Sequence, residues 1–408
     1  MIKIPLCFKD KGEYYLTTGP LQVFCKNNEL PTNEDRTELI KYIEKFANEN
    51  EDNQIIVLEW LEELLKEGVK HIYVRKCFFP SYLEECTEEV LESIIKEKLG
   101  DIEQEYIIGG THSNQFKCLS YTYEYNEDKI SKICFTYSMM LAELKKGKTS
   151  HNKIIYPIFI DIDFNNKVVI GRAKSKNRIY EFKYGDQGQF IPNIEKANTF
   201  KLVTKIMNEI ALSLDITYET KDRSRHIWSS NFYELINECT QTPEEVEFDI
   251  NGEEAIIEEF IQNFFVRHNI SPINKDNYIK AKEDIKLFME KYLAINLDNE
   301  AVFKENRVAY PIKIATTDTD LTSVEQCTAN RRPLQASPVF YDNKKILLRR
   351  KQCDKISLVF KREKKTYITN DEFVITLEVK GGYCVIQTVS YLFEEDIQDV
   401  LSRVIRVK

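Results

Sequence analysis

The densest concentration of reactive side chains in the sequence is a basic run at 331–365. Twelve basic and three acidic residues give this run a net charge of +9, whereas the whole 408-residue chain carries −9. Lysine and arginine bind phosphate groups and release counterions, so this density predicts a polyanionic partner. The residues of the run that we expect to contact it are Arg331, Arg332, Lys344, Lys345, Arg349, Arg350, Lys351, Lys361 and Arg362.

A second, shorter basic segment lies at 167–183. Its candidate phosphate contacts are Arg172, Lys174, Lys176 and Arg178. Aromatic residues interleaved with the longer run, such as Phe360, could stack on unpaired bases. Nucleic acid is therefore the expected polyanion, and the pattern does not choose DNA over RNA. Under the alternative interpretation, the aromatic residues are core residues and opposite charge blocks pair within the fold.

Three residues near the C-terminus could perform metal-dependent chemistry. Glu378 and Lys380 share the outer face of a predicted strand at 373–380, and Asp354 opens the preceding predicted strand. This Asp…Glu-x-Lys pattern resembles the PD-(D/E)xK nucleases. The resemblance implies that the two carboxylates position Mg²⁺ over a phosphate while the lysine stabilises the developing charge. The alternative is a polar hairpin face with ordinary paired charges.

Two further carboxylates, Asp161 and Asp163, alternate with apolar residues on the predicted strand IFIDIDF. We expect both to point away from the apolar face, where they either bind Mg²⁺ or Mn²⁺ or simply face solvent. A strand of this kind followed by a hairpin is also similar to the opening of an RNase H-like fold. The five histidines show no HxH or HxxxH spacing, so we assign no residue as a metal ligand.

The elements that position these residues predict a multi-domain α+β fold. We expect a mixed N-terminal domain at 1–145, a domain with a β-hairpin and helices at 153–295, and a small, basic, β-rich domain at 305–408. The polar, basic segment 144–153 is the predicted linker. A hairpin turning at Asn165 and Asn166 should hold the second basic segment.

Composition limits the cellular setting. Hydrophobic residues make up 42% of the chain, enough to fill real cores. The ten cysteines are scattered, which is typical of reduced thiols in the cytoplasm. The N-terminus lacks the pattern of a signal peptide, and no window is apolar enough to span a membrane, so we expect no membrane partner.

These patterns favour a binding protein. Acidic predicted helices at 51–100 and 201–300 should contact protein, and basic β-hairpin surfaces should contact phosphate. The sequence therefore predicts a nucleic-acid-binding subunit of a cytoplasmic bacterial multiprotein assembly, of the kind found in defence or mobile-element systems. One alternative is a Mg²⁺-dependent nuclease, the only case in which a cofactor is expected. The other is a structural adaptor that binds an acidic protein.

Overall fold

A computed structural model of the protein divides the chain into two compact units. The first unit comprises Met1–Arg225, Arg362–Phe373 and Lys380–Lys408, and the second comprises His226–Lys361 and Val374–Val379. Each unit is thus built from segments that are distant in sequence. The structure describes all residues except 11–14, 33, 85, 127–128, 146–149, 185–189, 271–274, 298–299, 318–322, 364–369 and 407–408.

An antiparallel sheet organises the first unit. Its strands are β1 (His71–Phe78), β2 (Lys117–Asn126), β3 (Lys129–Glu143), β4 (Asn152–Asp163), β5 (Val168–Ala173), β6 (Ile179–Tyr184), β7 (Phe190–Ala197), β8 (Thr217–Tyr218) and β13 (Tyr383–Thr388). The spatial order is β13-β1-β5-β4-β3-β6-β7, with β2 paired to β3 and β8 paired to β1. β-branched and aromatic residues dominate the long strand β4, which favours an extended backbone.

Helices and two hydrophobic cores complete the first unit. The helices are α1 (Leu6–Lys9), α2 (Thr18–Asn27), α3 (Arg36–Ala47), α4 (Glu51–Lys66), α5 (Ser81–Glu84), α6 (Glu88–Leu99), α7 (Thr199–Ser213) and α13 (Glu394–Val404). Ile158 and Ile160 of β4 belong to one core, and Phe159 between them belongs to the other. Because alternate side chains of a strand point to opposite faces, this sheet is buried on both sides.

A glycine in β5 sets the position of α7 over the sheet. A Cβ atom at Gly171 would lie 2.4 Å from Val203 Cγ1 and 2.8 Å from Met207 Sδ, both on α7. Only glycine therefore permits this close approach of helix and strand. The middle of α7 thus packs directly against β5.

The second unit combines helices with a smaller set of strands. Its helices are α8 (Lys221–Cys239), α9 (Glu244–Gly252), α10 (Glu254–Arg267), α11 (Lys275–Ile295) and α12 (Pro338–Arg350), with short 3₁₀ helices at Glu300–Phe303 and Leu334–Ala336. Its strands are β9 (Ala309–Thr317), β10 (Ser323–Cys327), β11 (Lys355–Lys361) and β12 (Glu372–Lys380), in the order β10-β9-β11-β12.

The predicted α+β class is confirmed, and so is the hairpin at Asn165 and Asn166, since β4 and β5 pair from Asp163 to Val168. The segment 144–153 is not a linker between domains. Glu143 pairs with Asn152, so this segment joins two neighbouring strands of one sheet.

The predicted domain ranges 1–145, 153–295 and 305–408 do not coincide with the two compact units. As independently folding domains they stay a prediction. Within the part of the chain that the structure describes, no helix is long and apolar enough to cross a membrane.

Candidate anion-binding cleft

The centre of the basic run 331–365 is a helix and not part of a β-hairpin surface, so the prediction is wrong here. Pro338 occupies the first turn of α12, where its fixed φ favours a helix, and Lys351 ends the helix with a left-handed φ of 52°. Phe340 and Leu347 are buried at helical spacing. Short apolar stretches of this kind do not distinguish a helix from a strand, which explains the error.

Cations of α12 pair with carboxylates of α11. Lys344 Nζ lies 2.7 Å from Glu290 Oε1, and both side chains are nearly buried. Lys345 Nζ lies 2.5 Å from Asp284 Oδ2, and Arg349 Nη2 lies 3.8 Å from the same oxygen. These pairs neutralise part of the field of the run inside its own unit, as the alternative interpretation of the charge blocks expected.

The other basic residues of the run differ in their partners and in their exposure to solvent. Arg332 pairs with Glu300, and Arg350 Nη1 donates to Thr316 Oγ1 at 3.4 Å. Among the described residues of the run, five cations are exposed: the paired Arg332 and Arg349, and also Arg331, Lys351 and Lys361.

A groove of about 950 Å³ in the second unit runs along α8, α9, α11 and α12. Lys351 lines it together with the paired cations of α12, and Glu247, Glu283, Asp284 and Glu290 line it as well. Charges of both signs therefore face this groove.

Arg172, a predicted phosphate contact, is buried within the first unit. Its side chain is 3% exposed, and it lies 3.1 Å from Asp161 and 2.6 Å from Glu394. Asp161 is buried as well, whereas Asp163 accepts hydrogen bonds from Asn166 at the hairpin turn. The predicted outward orientation of Asp161 does not lead to solvent, because the second face of the sheet is also covered.

Arg362 is likewise an interior residue. It pairs with Asp396, and its guanidinium lies 5.2 Å from the ring centroid of Phe373 and 4.9 Å from that of Phe393. Lys174 is partly buried, with Nζ 4.0 Å from the centroid of the Tyr15 ring. These positions favour structural roles over contact with a polyanion.

The three candidate nuclease residues have different partners. Glu378 accepts a hydrogen bond from Lys355 at 3.0 Å, and the main-chain oxygen of Asp354 accepts one from Val379. Lys380 belongs to the first unit and is exposed. Among the described residues, no group of three His, Cys, Asp or Glu side chains is placed to hold a metal ion. The glycines after Lys380 lead directly into β13.

Lys380 instead lines a cleft of about 500 Å³ in the first unit. The cleft lies beside the start of β1 and the second half of β13. It also borders the connection between β5 and β6, the end of β7 and the start of α7. Its walls consist of His71, Tyr73, Ser175, Lys176, Asn177, Arg178, Lys196, Ala197, Asn198, Thr199, Phe200, Lys201, Lys380, Val385 and Gln387.

The walls carry five basic side chains and no Asp or Glu. Lys176 is compensated, because its Nζ lies 2.6 Å from Glu143 and both side chains are mostly buried. The other four, Arg178, Lys196, Lys201 and Lys380, are exposed. Within the described residues none of these four forms an ion pair. The cleft is therefore a concave surface with uncompensated positive charge.

Aromatic rings line and support the cleft. Phe200 packs edge-on against Tyr73 at 5.4 Å and against Tyr383 at 5.5 Å. Lys380 Nζ lies 5.2 Å from the centroid of the Phe200 ring. His71 adds a titratable group, and burial lowers the pKa of its imidazole, which is therefore neutral at pH 7. Aromatic and cationic groups thus stand side by side.

Local backbone features shape the wall of the cleft. Asn198 caps α7 by accepting a hydrogen bond from Phe200 N at 2.8 Å, and the positive end of the helix dipole lies at the wall. Arg178 has a φ of 149°, a strained conformation for a non-glycine residue. The carbonyl of Arg178 is held by a hydrogen bond from Leu144 N.

Sequence reasoning identified part of this cleft. Lys176, Arg178 and Lys380 were predicted site residues, although Lys380 was assigned a catalytic role. Lys196 and Lys201 were missed. Their signal is modest, since two lysines flanking a helix-capping asparagine are common on protein surfaces.

Comparison with known proteins adds no family to this description. No protein-family model matches the chain, and no curated protein sequence matches it.

Proposed function

We propose that this protein binds single-stranded nucleic acid and that the cleft of the first unit holds the phosphates of the strand. The observation that carries the proposal is the convergence of four exposed cations on one concave surface. These are Arg178, Lys196, Lys201 and Lys380, and none of them pairs with a carboxylate in the described part of the chain. Phosphate neutralisation by lysine and arginine supplies most of the affinity of such proteins.

The dimensions of the cleft favour one strand over a duplex. A volume of about 500 Å³ falls within the roughly 300–1,000 Å³ range of small-ligand sites. It accommodates a nucleotide or a short stretch of a strand. An aromatic side chain beside cations is the combination that stacks an unpaired base while fixing its phosphate. Phe200, whose ring centroid lies 5.2 Å from Lys380 Nζ, is the proposed stacking residue.

The cellular setting remains part of the proposal. All ten cysteines are free, which supports a reducing compartment such as the cytoplasm. Membership of a multiprotein assembly is proposed from the separation of acidic and basic stretches along the sequence, and a bacterial origin from the low content of Gly (13) and Pro (11). The nuclease and adaptor alternatives find no specific support in the contacts of Glu378 or of α12.

A salt titration of binding tests the proposal. A fluorescently labelled single-stranded oligonucleotide is titrated with the protein at several salt concentrations, and the logarithm of the affinity is plotted against that of the salt. Lys201→Ala/Lys380→Ala should weaken binding and reduce the slope by about 1.4, because each lost phosphate contact contributes about 0.7 on a single strand.

The matched control is Lys26→Ala/Lys45→Ala, which removes two exposed lysines from α2 and α3. This variant has the same net charge and should bind almost as the unchanged protein does. Equal losses in the two double variants would show that net charge and not the cleft determines binding. DNA and RNA oligonucleotides of one sequence, compared side by side, identify the preferred strand.

A further inference from the structure

Helix α10 in the second unit is apolar on two faces. Its sequence contains three pairs of neighbouring apolar residues, spaced four residues apart. The second member of each pair is buried, and these residues are Ile257, Ile261 and Phe265. They pack against residues of α11 that include Tyr278, Ile285 and Met289.

The first member of each pair is exposed to solvent. Ile256 is 62% exposed, Phe260 60% and Phe264 45%. Residues four apart are neighbours on a helix, and the rings of Phe260 and Phe264 stack at 6.2 Å. Phe248 of α9 is 79% exposed. Contiguous exposed apolar residues of this size mark interaction sites in soluble proteins.

Acidic residues dominate the sequence of α9 and α10, and the one base of these two helices is Arg267 in the last turn of α10. From residue 241 to residue 266 the chain has eight acidic residues and no basic residue. Glu254 and Glu258 pair with Lys282 and Lys286 of α11. Six acidic side chains remain exposed and, among the described residues, without an ion pair: Glu244, Glu245, Glu247, Asp249, Glu253 and Glu259.

We propose that the exposed apolar stripe of α10, together with its uncompensated acidic surroundings, binds a basic amphipathic helix of a protein partner. The apolar residues at i, i+4 and i+8 match the spacing by which one helix lies along another. Charge complementarity selects the occupant, because a lysine- or arginine-rich helix would be attracted to carboxylates of α10 and its N-terminus such as Glu253 and Glu259. This inference does not rest on the proposed binding of nucleic acid.

Two other occupants fit less well. A second copy of this chain would bring the same acidic face against itself in a symmetric interface, where like charges repel. A membrane surface that contains anionic lipids is disfavoured for the same reason. Both are therefore competing outcomes of the test.

The test uses the full-length protein and a fluorescently labelled 18-residue peptide of leucine and lysine, with leucine at positions i, i+3, i+4 and i+7. A peptide of the same composition in scrambled order is the control probe. We expect saturable binding of the patterned peptide and at least tenfold weaker binding of the scrambled one, measured by fluorescence anisotropy.

Two variants assign the binding to the stripe. Phe260→Ser/Phe264→Ser should lose at least tenfold in affinity while its thermal melting by circular dichroism stays close to that of the unchanged protein. Glu253→Gln/Glu259→Gln should lose about threefold and show a weaker salt dependence. Equal binding of the two peptides, or unchanged binding by the phenylalanine variant, would overturn the proposal.

The competing occupants give different results. Sedimentation velocity would reveal a concentration-dependent dimer that disappears in Phe260→Ser/Phe264→Ser if a second copy is the occupant. Co-sedimentation with phosphatidylcholine–phosphatidylserine vesicles, lost in the same variant, would assign the stripe to a membrane. Either result would replace the proposed protein partner.

Discussion

The groove of the second unit and the cleft of the first unit are both lined by lysine and arginine, yet their electrostatic character differs. In the groove, Lys344 and Lys345 face Glu290 and Asp284 across short distances. In the cleft, the exposed cations face one another and polar or aromatic groups, with no carboxylate in the walls.

The density of basic residues in the sequence and the uncompensated charge at the folded surface are therefore different properties. The run 331–365 has the higher linear density of charge, but the fold places part of it beside the carboxylates of Asp284 and Glu290 on α11. The cleft collects single cations from separate segments, of which none stands out by itself. A polyanion responds to the uncompensated field at a surface and not to the density of a sequence.

The largest expected effect concerns a cation that belongs to neither surface. Arg172→Met should lower the free energy of unfolding by about 3 kcal/mol, because the buried carboxylate of Asp161 loses its nearer cation and keeps only Lys132, at 3.9 Å. Urea denaturation measures this change. Arg178→Met is the matched control and should stay within about 0.5 kcal/mol, since Arg178 is exposed. Unchanged stability in Arg172→Met would return Arg172 to the list of candidate phosphate contacts.

The next effect contrasts the two surfaces directly. Replacing all four exposed cations of the cleft by alanine should weaken the binding of a single-stranded oligonucleotide by about 100-fold, since four phosphate contacts are lost. Replacing Lys345, Arg349 and Lys351 by alanine should change the affinity by less than about threefold, because two of these cations are already paired. Anisotropy titrations at one salt concentration measure both. A larger loss in the second variant would reverse the comparison.

A single lysine of the groove should affect stability and not binding. Lys344→Met leaves the nearly buried Glu290 without its ion pair, which should cost about 2 kcal/mol, less than for Arg172 because some solvent reaches the site. Lys345→Met on the same helix is the control and should cost less than about 1 kcal/mol, since its pair is more exposed. Thermal melts of the two variants would contradict this order if their midpoints fell equally.

The smallest expected effect is a pH dependence in the cleft. Burial holds the pKa of His71 below its ordinary value, so the imidazole gains a proton only below that range. Acidification through the lowered pKa should tighten oligonucleotide binding by about two- to threefold, because the half-buried imidazole then adds a fifth uncompensated positive charge to the cleft.

The lowered pKa of His71 affects stability in the opposite direction, since acidification should strengthen binding but weaken the fold. Since the unfolded chain binds the proton at a higher pH than the folded one, His71 should reduce stability as pH falls below about 6.5, and this loss should level off below the folded pKa. His71→Gln should remove both effects in parallel binding and unfolding titrations. Persistence of the pH-dependent binding in this variant would assign it to another group.

Secondary structure was predictable from the sequence where a segment showed a single clear pattern. The hairpin between β4 and β5 was predictable because alternating β-branched residues flank the asparagine pair at Asn165 and Asn166. Helix α12 was not, since its short apolar stretch fits a strand equally well and its pairing with α11 involves distant residues. The burial of Arg172 was hidden as well, because strand alternation does not reveal whether the second face of a sheet is covered.

The candidate cleft was also only partly predictable from the sequence. Arg178 and Lys176 were visible as a basic segment, but nothing in the sequence connects them to Lys196, Lys201 or Lys380. Their convergence depends on the order of the strands and on the close approach of α7 permitted by Gly171.

The sequence by itself determined the α+β class, the main hairpin and the separation of acidic helical stretches from basic ones. These depend on periodicity and composition, which are local properties. Tertiary structure alone decided which cations remain uncompensated and which apolar side chains of α10 stay exposed. Charge compensation and exposure both depend on which side chains are close in space. Side chains that meet in the fold come from segments far apart in the sequence, and no local sequence pattern connects those segments.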